Sequence, residues 1–190
     1  MNKPLLELIN FYRRFKENAL CLDVETTHYN GPIALIGMYK PKDGEIDCVS
    51  LIRGRNLSAL SVKDALQGCK LLITYNGLKH DVPKIREEFP NSIPANIPVI
   101  DVFLMAKYLR LGTSLDVLEN TFNVGRPNSI ARKGRAIHLW QRYRNINDKT
   151  ALQKLIDYNR QDTVNLYPII EELIKRANHT EENNKTESNI

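Results

Sequence analysis

The chain has 190 residues, of which 42% are hydrophobic and 26% charged, a composition typical of a soluble protein with one domain. The formal net charge of +5 is compatible with a polyanionic partner, and the apolar segment near the N-terminus is too short and too charged for a signal peptide or membrane span. Cys21, Cys48 and Cys69 are odd in number and lack Cys-x-x-Cys spacing, which argues against a disulfide framework or structural zinc site and predicts a reducing, cytoplasmic location.

The first part of the chain predicts one helix followed by three strands. Residues 3–16 carry apolar side chains at helical spacing, which predicts an amphipathic helix packed on the domain. Short apolar runs follow at residues 19–24, 33–39 and 46–52, separated by turn-forming residues. Because connections this short join antiparallel neighbours, the three runs predict an antiparallel meander.

After these strands, helices and strands alternate. Ser61 and Asp64 have the spacing of a capping box and predict the start of a short helix, which precedes a strand at residues 70–74. A helix at residues 82–89 then precedes a strand at residues 98–100. Such alternation is typical of parallel strands, so the complete sheet should be mixed.

The rest of the chain is predicted to be mostly helical. Ser114 is a candidate N-cap, and apolar residues recur at helical spacing from residue 149 to residue 177. Residues 178–189 contain no bulky apolar side chain, which predicts a disordered polar tail over 178–190. We therefore expect a single domain at residues 1–177, with the N-terminal helix within residues 1–17.

Acidic residues at three places in the chain suggest a metal site. Asp23 and Glu25 end the first strand two residues apart, so both side chains point to one face of the sheet. Asp81 follows a strand and a turn, and Tyr158 and Asp162 share one face of the last helix because they are four residues apart. If these elements meet, the carboxylates could bind two divalent cations, and Mg²⁺ or Mn²⁺ suits an all-oxygen site.

These motifs together resemble a known family. Three motifs are similar to the exonuclease motifs of the DEDDy branch of the DEDD superfamily: Asp23-x-Glu25, Asn76-x-x-x-His80-Asp81 and Tyr158-x-x-x-Asp162. The residues in and around these motifs are also similar to those of YprB-type predicted exonucleases. The resemblance spans residues 20 to about 175. It implies an α/β fold of the ribonuclease H-like type, in which a mixed five-stranded sheet, three antiparallel strands and then two parallel ones, is flanked by helices in three layers.

The resemblance also implies an activity and a role for each motif residue. The implied reaction is 3′-5′ hydrolysis of single-stranded nucleic acid with two Mg²⁺ or Mn²⁺ ions. Asp23 would bridge both metals, Glu25 and Asp162 would bind the metal on the side of the nucleophile, and Asp81 would support the second metal. Tyr158 would contact the attacking water. A phenol titrates near 10, so orienting the water is an easier role for it than removing a proton unaided.

Several residues near these motifs are candidates for substrate contact. His80 stands where the family usually has an aromatic residue, and it could stack on a base, contact phosphate or simply pack. Asn76 could contact substrate, but a tight turn explains it equally well. Asp101 is expected to be a helix N-cap, with an outer role near the metals as the alternative. Trp140 most simply belongs to the core, with stacking on a base as the alternative. The remaining candidates are Thr26 beside the first motif and three cations of a basic stretch: Arg132, Lys133 and Arg135.

The sequence leaves three functional hypotheses open. The first is the metal-dependent exonuclease, with DNA preferred to RNA because of the resemblance. The second is a nucleic-acid-binding module with no catalytic activity. The third is a ribonuclease H-like endonuclease or RNA-directed exonuclease, which would use the same metal chemistry.

Overall fold

The computed structural model describes residues 3–42, 45–127 and 135–187, which form five strands and seven α-helices. The strands are β1 (Ala19–Thr26), β2 (Ile33–Lys42), β3 (Glu45–Ile52), β4 (Leu71–Thr74) and β5 (Val99–Asp101). The helices are α1 (Lys3–Phe15), α2 (Ala59–Ala65), α3 (Asp81–Glu88), α4 (Val102–Tyr108), α5 (Leu115–Thr121), α6 (Ala136–Ile146) and α7 (Lys149–Glu187).

The five strands form one mixed sheet in the order β3-β2-β1-β4-β5. Strand β2 pairs antiparallel with both β1 and β3, whereas β4 pairs parallel with both β1 and β5. Short turns make the first three strands antiparallel, and the longer helical connections allow the last two to run parallel. The predicted α/β architecture, a mixed sheet of three antiparallel and then two parallel strands flanked by helices, is confirmed.

Helices cover both faces of the sheet. Alternate residues of β1 point to opposite sides: Ala19 and Cys21 pack with α1, α4 and α7, whereas Leu20 and Leu22 pack with α2 and α3. These first four residues of β1 are buried, whereas the residues from Asp23 onward are only partly buried. The buried half of β1 therefore anchors the strand, and its C-terminal half carries polar side chains towards the edge of the core.

Two local expectations need correction. The capping box at the start of α2 is formed by Ser58 and Ser61 rather than by Ser61 and Asp64. The hydroxyl of the extended residue Ser58 accepts from the Ser61 backbone N–H, and the Ser61 hydroxyl accepts from the Ser58 backbone N–H. Helix α7 continues to Glu187, whereas the sequence predicted an end at residue 177 and a disordered tail. Once a helix has formed, each added residue gains a backbone hydrogen bond without needing an apolar face.

None of the helices in the described ranges combines the length and the apolar character needed to cross a lipid bilayer. The longest, α7, has 39 residues and carries charged side chains along its whole length.

Helix α7 packs closely on β2 at Gly37. A Cβ atom at this position would lie only 1.9 Å from Oδ1 of Asn159 and 2.8 Å from Oγ1 of Thr163. Both of these α7 residues are buried, so neither can move aside easily. A glycine at position 37 is therefore required for the distance between helix and sheet.

We predict that Gly37→Ala lowers the free energy of unfolding by about 1–3 kcal/mol, because the methyl group overpacks the contact with α7. The measurement is urea denaturation of the metal-free protein, with a fall in Tm of several degrees as a second readout. Gly125→Ala is the matched control, since a Cβ there would meet nothing within 4 Å. Equal stability of the two variants would contradict the predicted role of Gly37.

Candidate metal centre

Asp23 and Glu25 lie in the C-terminal half of the central strand β1. They are two residues apart and continue the face on which Cys21 packs against the α7 side of the sheet. The pairing of β1 with β2 becomes irregular between Glu25 and Thr26, where the strand ends. The strand thus directs both carboxylates towards α7.

Asp162 of α7 completes a close group with this pair. One carboxylate oxygen from each of Asp23, Glu25 and Asp162 lies within 4.8 Å of the others. Asn159, one helical turn before Asp162, is fully buried and donates from Nδ2 to Oδ2 of Asp23 over 2.7 Å. This hydrogen bond fixes the orientation of the Asp23 carboxylate and joins α7 to β1.

Asp81 lies beside the close group but is not a member of it among the described residues. It begins α3 directly after a turn that Asp101 holds, because the Asp101 carboxylate accepts from the backbone N–H groups of Asn76 (2.8 Å) and Leu78 (3.2 Å). A Cβ on Gly77 would lie 2.8 Å from Oδ2 of Asp81. The turn therefore places the carboxylate firmly, and its charge contributes to the raised pKa of Glu25.

Tyr158 and Arg126 form the side of the site next to Asp162. Tyr158 precedes Asp162 by one helical turn and lies close enough that the Asp162 charge, after burial, raises the pKa of Tyr158. The Arg126 guanidinium donates to Oδ1 of Asp162 and lies over the Tyr158 ring, with 5.8 Å between the guanidinium carbon and the ring centroid. These residues, together with the three clustered carboxylates and Tyr75, line a cavity of about 220 Å³.

The electrostatics of the site favour a bound cation. Burial, and next the charge of Asp162, raise the pKa of Asp23 to about 7 from an ordinary value of 3.8. Burial raises the pKa values of Glu25 and Asp81 too, with the charge of Asp23 as the second cause in both. A divalent cation among these oxygens would offset both the repulsion and the loss of solvation.

The donor set fits a hard divalent cation. All the candidate ligands are carboxylate oxygens, which suit Mg²⁺ or Mn²⁺ better than softer metals. The distances within the Asp23, Glu25 and Asp162 group allow one ion to contact all three, and the Asn159 amide restrains Asp23 as an outer partner. Asp81 is placed to approach the group from the side of α3.

A comparison of the sequence with known families agrees with this architecture. The family model of the RNase_H superfamily matches residues 20–174. The chain belongs to the RNase_H superfamily.

Two solved structures are similar to this RNase_H superfamily chain. "Exonuclease X in complex with 5′ overhanging duplex DNA" is 16% identical, with a TM-score of 0.47 and coverage of 81% of this chain and 92% of that one. "Crystal structure of EXD2 exonuclease domain soaked in Mn and Mg" is 18% identical, with a TM-score of 0.34 and coverage of 85% and 86%. No curated protein matches the chain.

The structure places the predicted substrate residues in different surroundings. Thr26 and His80 line a second cavity, which Asp81 also borders, and the His80 side chain is exposed. Asn76 occupies the left-handed region at φ 57°, which is the tight-turn role. Arg135 is exposed just before α6. Arg132 and Lys133 lie outside the described residues.

Two of the remaining sequence expectations concern residues with mainly structural roles. Asp101 is the N-cap of α4, since its carboxylate accepts from the Phe103 N–H over 3.1 Å, and it also holds the turn before Asp81. Trp140 is 3% exposed and packs in the core next to Tyr143.

Sequence reasoning missed three residues that hold the site together. Asn159 could have been found, because it lies three residues before Asp162 and so shares its side of a helix. Arg126 begins the basic stretch that also contains Arg132, Lys133 and Arg135, and no sequence pattern distinguishes it from those cations. Glu119 gave no signal in the sequence, yet it is 3% exposed and binds Arg126.

The raised pKa of Asp23 predicts how pH affects the metal-free protein. The folded state holds this proton up to about pH 7, whereas the ordinary pKa of an aspartate is 3.8. The contribution of Asp23 to stability is therefore fully present below the ordinary pKa and is lost as the pH rises through about 7. In EDTA, Asp23→Asn should be more stable than the wild type at about pH 8 and lose this advantage near pH 4.

Thermal unfolding of both proteins across this pH range is the measurement. Asp148→Asn is the matched control, because a backbone hydrogen bond from Ala151 and the Arg142 side chain lower the pKa of Asp148. Its substitution should not stabilise the protein at high pH. An Asp23→Asn variant that is less stable than the wild type near pH 8 would show that Asp23 is not under repulsion.

Proposed function

We propose that this RNase_H superfamily chain is a metal-dependent 3′-5′ exonuclease of the DEDDy branch that hydrolyses single-stranded nucleic acid. The observation that carries the proposal is the close group of Asp23, Glu25 and Asp162, whose oxygens lie within 4.8 Å of one another. Partly buried carboxylates placed this closely are unfavourable without a cation, and an acidic centre of this kind is suited to phosphodiester cleavage. The motif order similar to YprB-type predicted exonucleases supports the finer assignment.

The proposed roles follow the positions of the residues. Asp23 would contact both cations, Glu25 and Asp162 the one on the side of the nucleophile, and Asp81, on the α3 side, the other. Bound there, two Mg²⁺ or Mn²⁺ ions would supply an activated water and stabilise the leaving oxygen. Asn159 keeps the Asp23 carboxylate oriented through its 2.7 Å hydrogen bond, so this ligand is arranged before an ion binds.

Tyr158 is proposed to orient the attacking water rather than to deprotonate it. Burial, then the charges of Asp162 and Glu25, raise its pKa above the ordinary phenol value of 10.0. The phenol therefore keeps its proton at neutral pH and can donate a hydrogen bond. Tyr158 lies one helical turn before Asp162 and lines the same cavity as the carboxylates, which places it beside them.

The second cavity is the proposed path of the strand beyond the scissile phosphate. Thr26, His80 and Lys84 line it beside Asp81, and Tyr29 on the same cavity is 84% exposed. Cations can contact phosphates, and an exposed ring can stack on a base. Asn76, Arg132, Lys133 and Arg135 are also proposed to bind substrate, as the sequence predicted. A cytoplasmic location is also proposed, because Cys21, Cys48 and Cys69 are free thiols.

The activity predicts stepwise shortening of a 5′-labelled single-stranded oligonucleotide in Mg²⁺ or Mn²⁺ and none in EDTA. Asp23→Ala should lower the rate by more than the roughly 100-fold typical of losing an outer partner, because it removes a ligand itself. Asp157→Asn is the control, since Asp157 lies on α7 outside the close group and binds Gln153. Product that forms equally with Asp23→Ala would disprove the proposal.

Circular single strands distinguish the two metal-dependent alternatives. An exonuclease needs an end, so circles should persist under conditions that consume linear strands, whereas a ribonuclease H-like endonuclease would cut both. Tight binding of linear strands with no cleavage in either metal would instead indicate a binding module.

The preference for DNA rests on the family resemblance and gives a separate prediction. Discrimination depends on contacts to the 2′-hydroxyl group, so matched DNA and RNA oligonucleotides should differ in rate and not in metal requirement. Initial rates under identical conditions are the measurement, with DNA expected to be degraded faster. Faster degradation of RNA would reverse the assignment and leave the metal chemistry unchanged.

A further inference from the structure

A buried network of charges lies beside Asp162. Arg126 donates from Nε to Oε2 of Glu119 over 3.2 Å and from Nη2 to Oε1 over 2.7 Å, and Nη2 also donates to Asp162. The side-chain exposures are 5% for Arg126, 3% for Glu119 and 11% for Asp162. This is a bidentate pair in a largely dry environment, where the fork geometry of arginine is most restrictive.

The network is also held from the side of α7. Asn165 donates from Nδ2 to Oε1 of Glu119 over 2.7 Å, and Gln161 donates to Oδ1 of Asn165 over 2.7 Å. The Glu119 carboxylate thus receives donors from both Arg126 and α7. Because Gln161 and Asn165 flank Asp162 on the same helix, the position of the guanidinium is fixed relative to that carboxylate.

One guanidinium therefore contacts both Tyr158 and Asp162 of α7. It hydrogen-bonds to Asp162 and covers the Tyr158 ring at 5.8 Å. Buried ion pairs rarely stabilise a fold more than apolar residues of the same size, because desolvation offsets their attraction. What this network offers over an apolar filling is a defined orientation of the carboxylate.

We propose that Glu119 and Arg126 are positioning residues: Glu119 fixes the guanidinium, and the guanidinium sets the Asp162 carboxylate and the Tyr158 ring in the orientation that receives a divalent cation. This inference rests on the proposed metal-dependent function. Outer partners of this kind orient the groups that bind the metal, and their loss lowers metal affinity or activity by about 10- to 100-fold.

The test must separate orientation from simple charge. Removing Arg126 alone would make the site more negative and so attract cations more strongly, which would mask a loss of orientation. The double variant Glu119→Gln and Arg126→Gln removes one charge of each sign and keeps the local net charge. Arg126→Lys is the second variant. It keeps the positive charge but loses the bidentate geometry of the guanidinium, and it provides the test if the double variant does not fold.

The first readout is Mn²⁺ affinity without substrate, measured by electron paramagnetic resonance titration of free Mn²⁺, with circular dichroism to check folding. We expect Mn²⁺ affinity to fall by about 10- to 100-fold in the double variant and by a smaller factor in Arg126→Lys. In the nuclease assay, the Mn²⁺ concentration for half-maximal rate should rise in parallel. The control is Arg142→Gln with Asp148→Asn, which removes an exposed ion pair elsewhere and should leave Mn²⁺ affinity unchanged.

The outcomes keep this inference distinct from the proposed function. If the wild type cleaves and both variants bind Mn²⁺ as the wild type does, with only Tm lowered, the network is structural and the inference is overturned. If the wild type binds Mn²⁺ and loses affinity in the variants but cleaves nothing, the exonuclease proposal fails and the positioning role stands. A wild type that binds no Mn²⁺ overturns both.

Discussion

The contact between α7 and the central strand β1 is the interaction on which the site depends. Asn159 donates to Asp23 over 2.7 Å, and the absence of a side chain at Gly37 leaves room for it. One helical turn later, Asp162 meets Asp23 and Glu25. Residues far apart in the chain form one acidic centre because this helix can approach the sheet closely, and a wider spacing would separate the ligands.

The same contact has an electrostatic cost, which explains the character of the site. Burial raises the pKa of each clustered carboxylate, and neighbouring charges add to the effect at Asp23 and Glu25. Arg126, which lines the same cavity, opposes this effect by lowering the pKa of Asp162. The rest of the fold must supply the stability that holds these groups together, and the apolar layers on both faces of the sheet do so.

The sequence predicted the sheet well and the site in part. Short turns and then helical connections are local patterns, so the order of antiparallel and parallel strands was accessible, as was the same-face placement of Asp23 with Glu25. The Glu119 contact with Asn165 joins residues 46 positions apart and leaves no local pattern. The end of α7 was missed because helix extension needs no apolar periodicity. The close group contains three carboxylates, and Asp81 lies beside it. The spacing of residues along the sequence cannot predict this difference in distance between side chains.

The most direct measurement is anomalous X-ray diffraction from a crystal of the protein soaked in MnCl₂, collected above the manganese absorption edge. The expected result is two peaks about 3.5–4 Å apart, one among Asp23, Glu25 and Asp162 and the other towards Asp81. No peak among these oxygens at saturating manganese, or peaks only at exposed acidic residues elsewhere, would contradict a metal centre at the junction of α7 and β1.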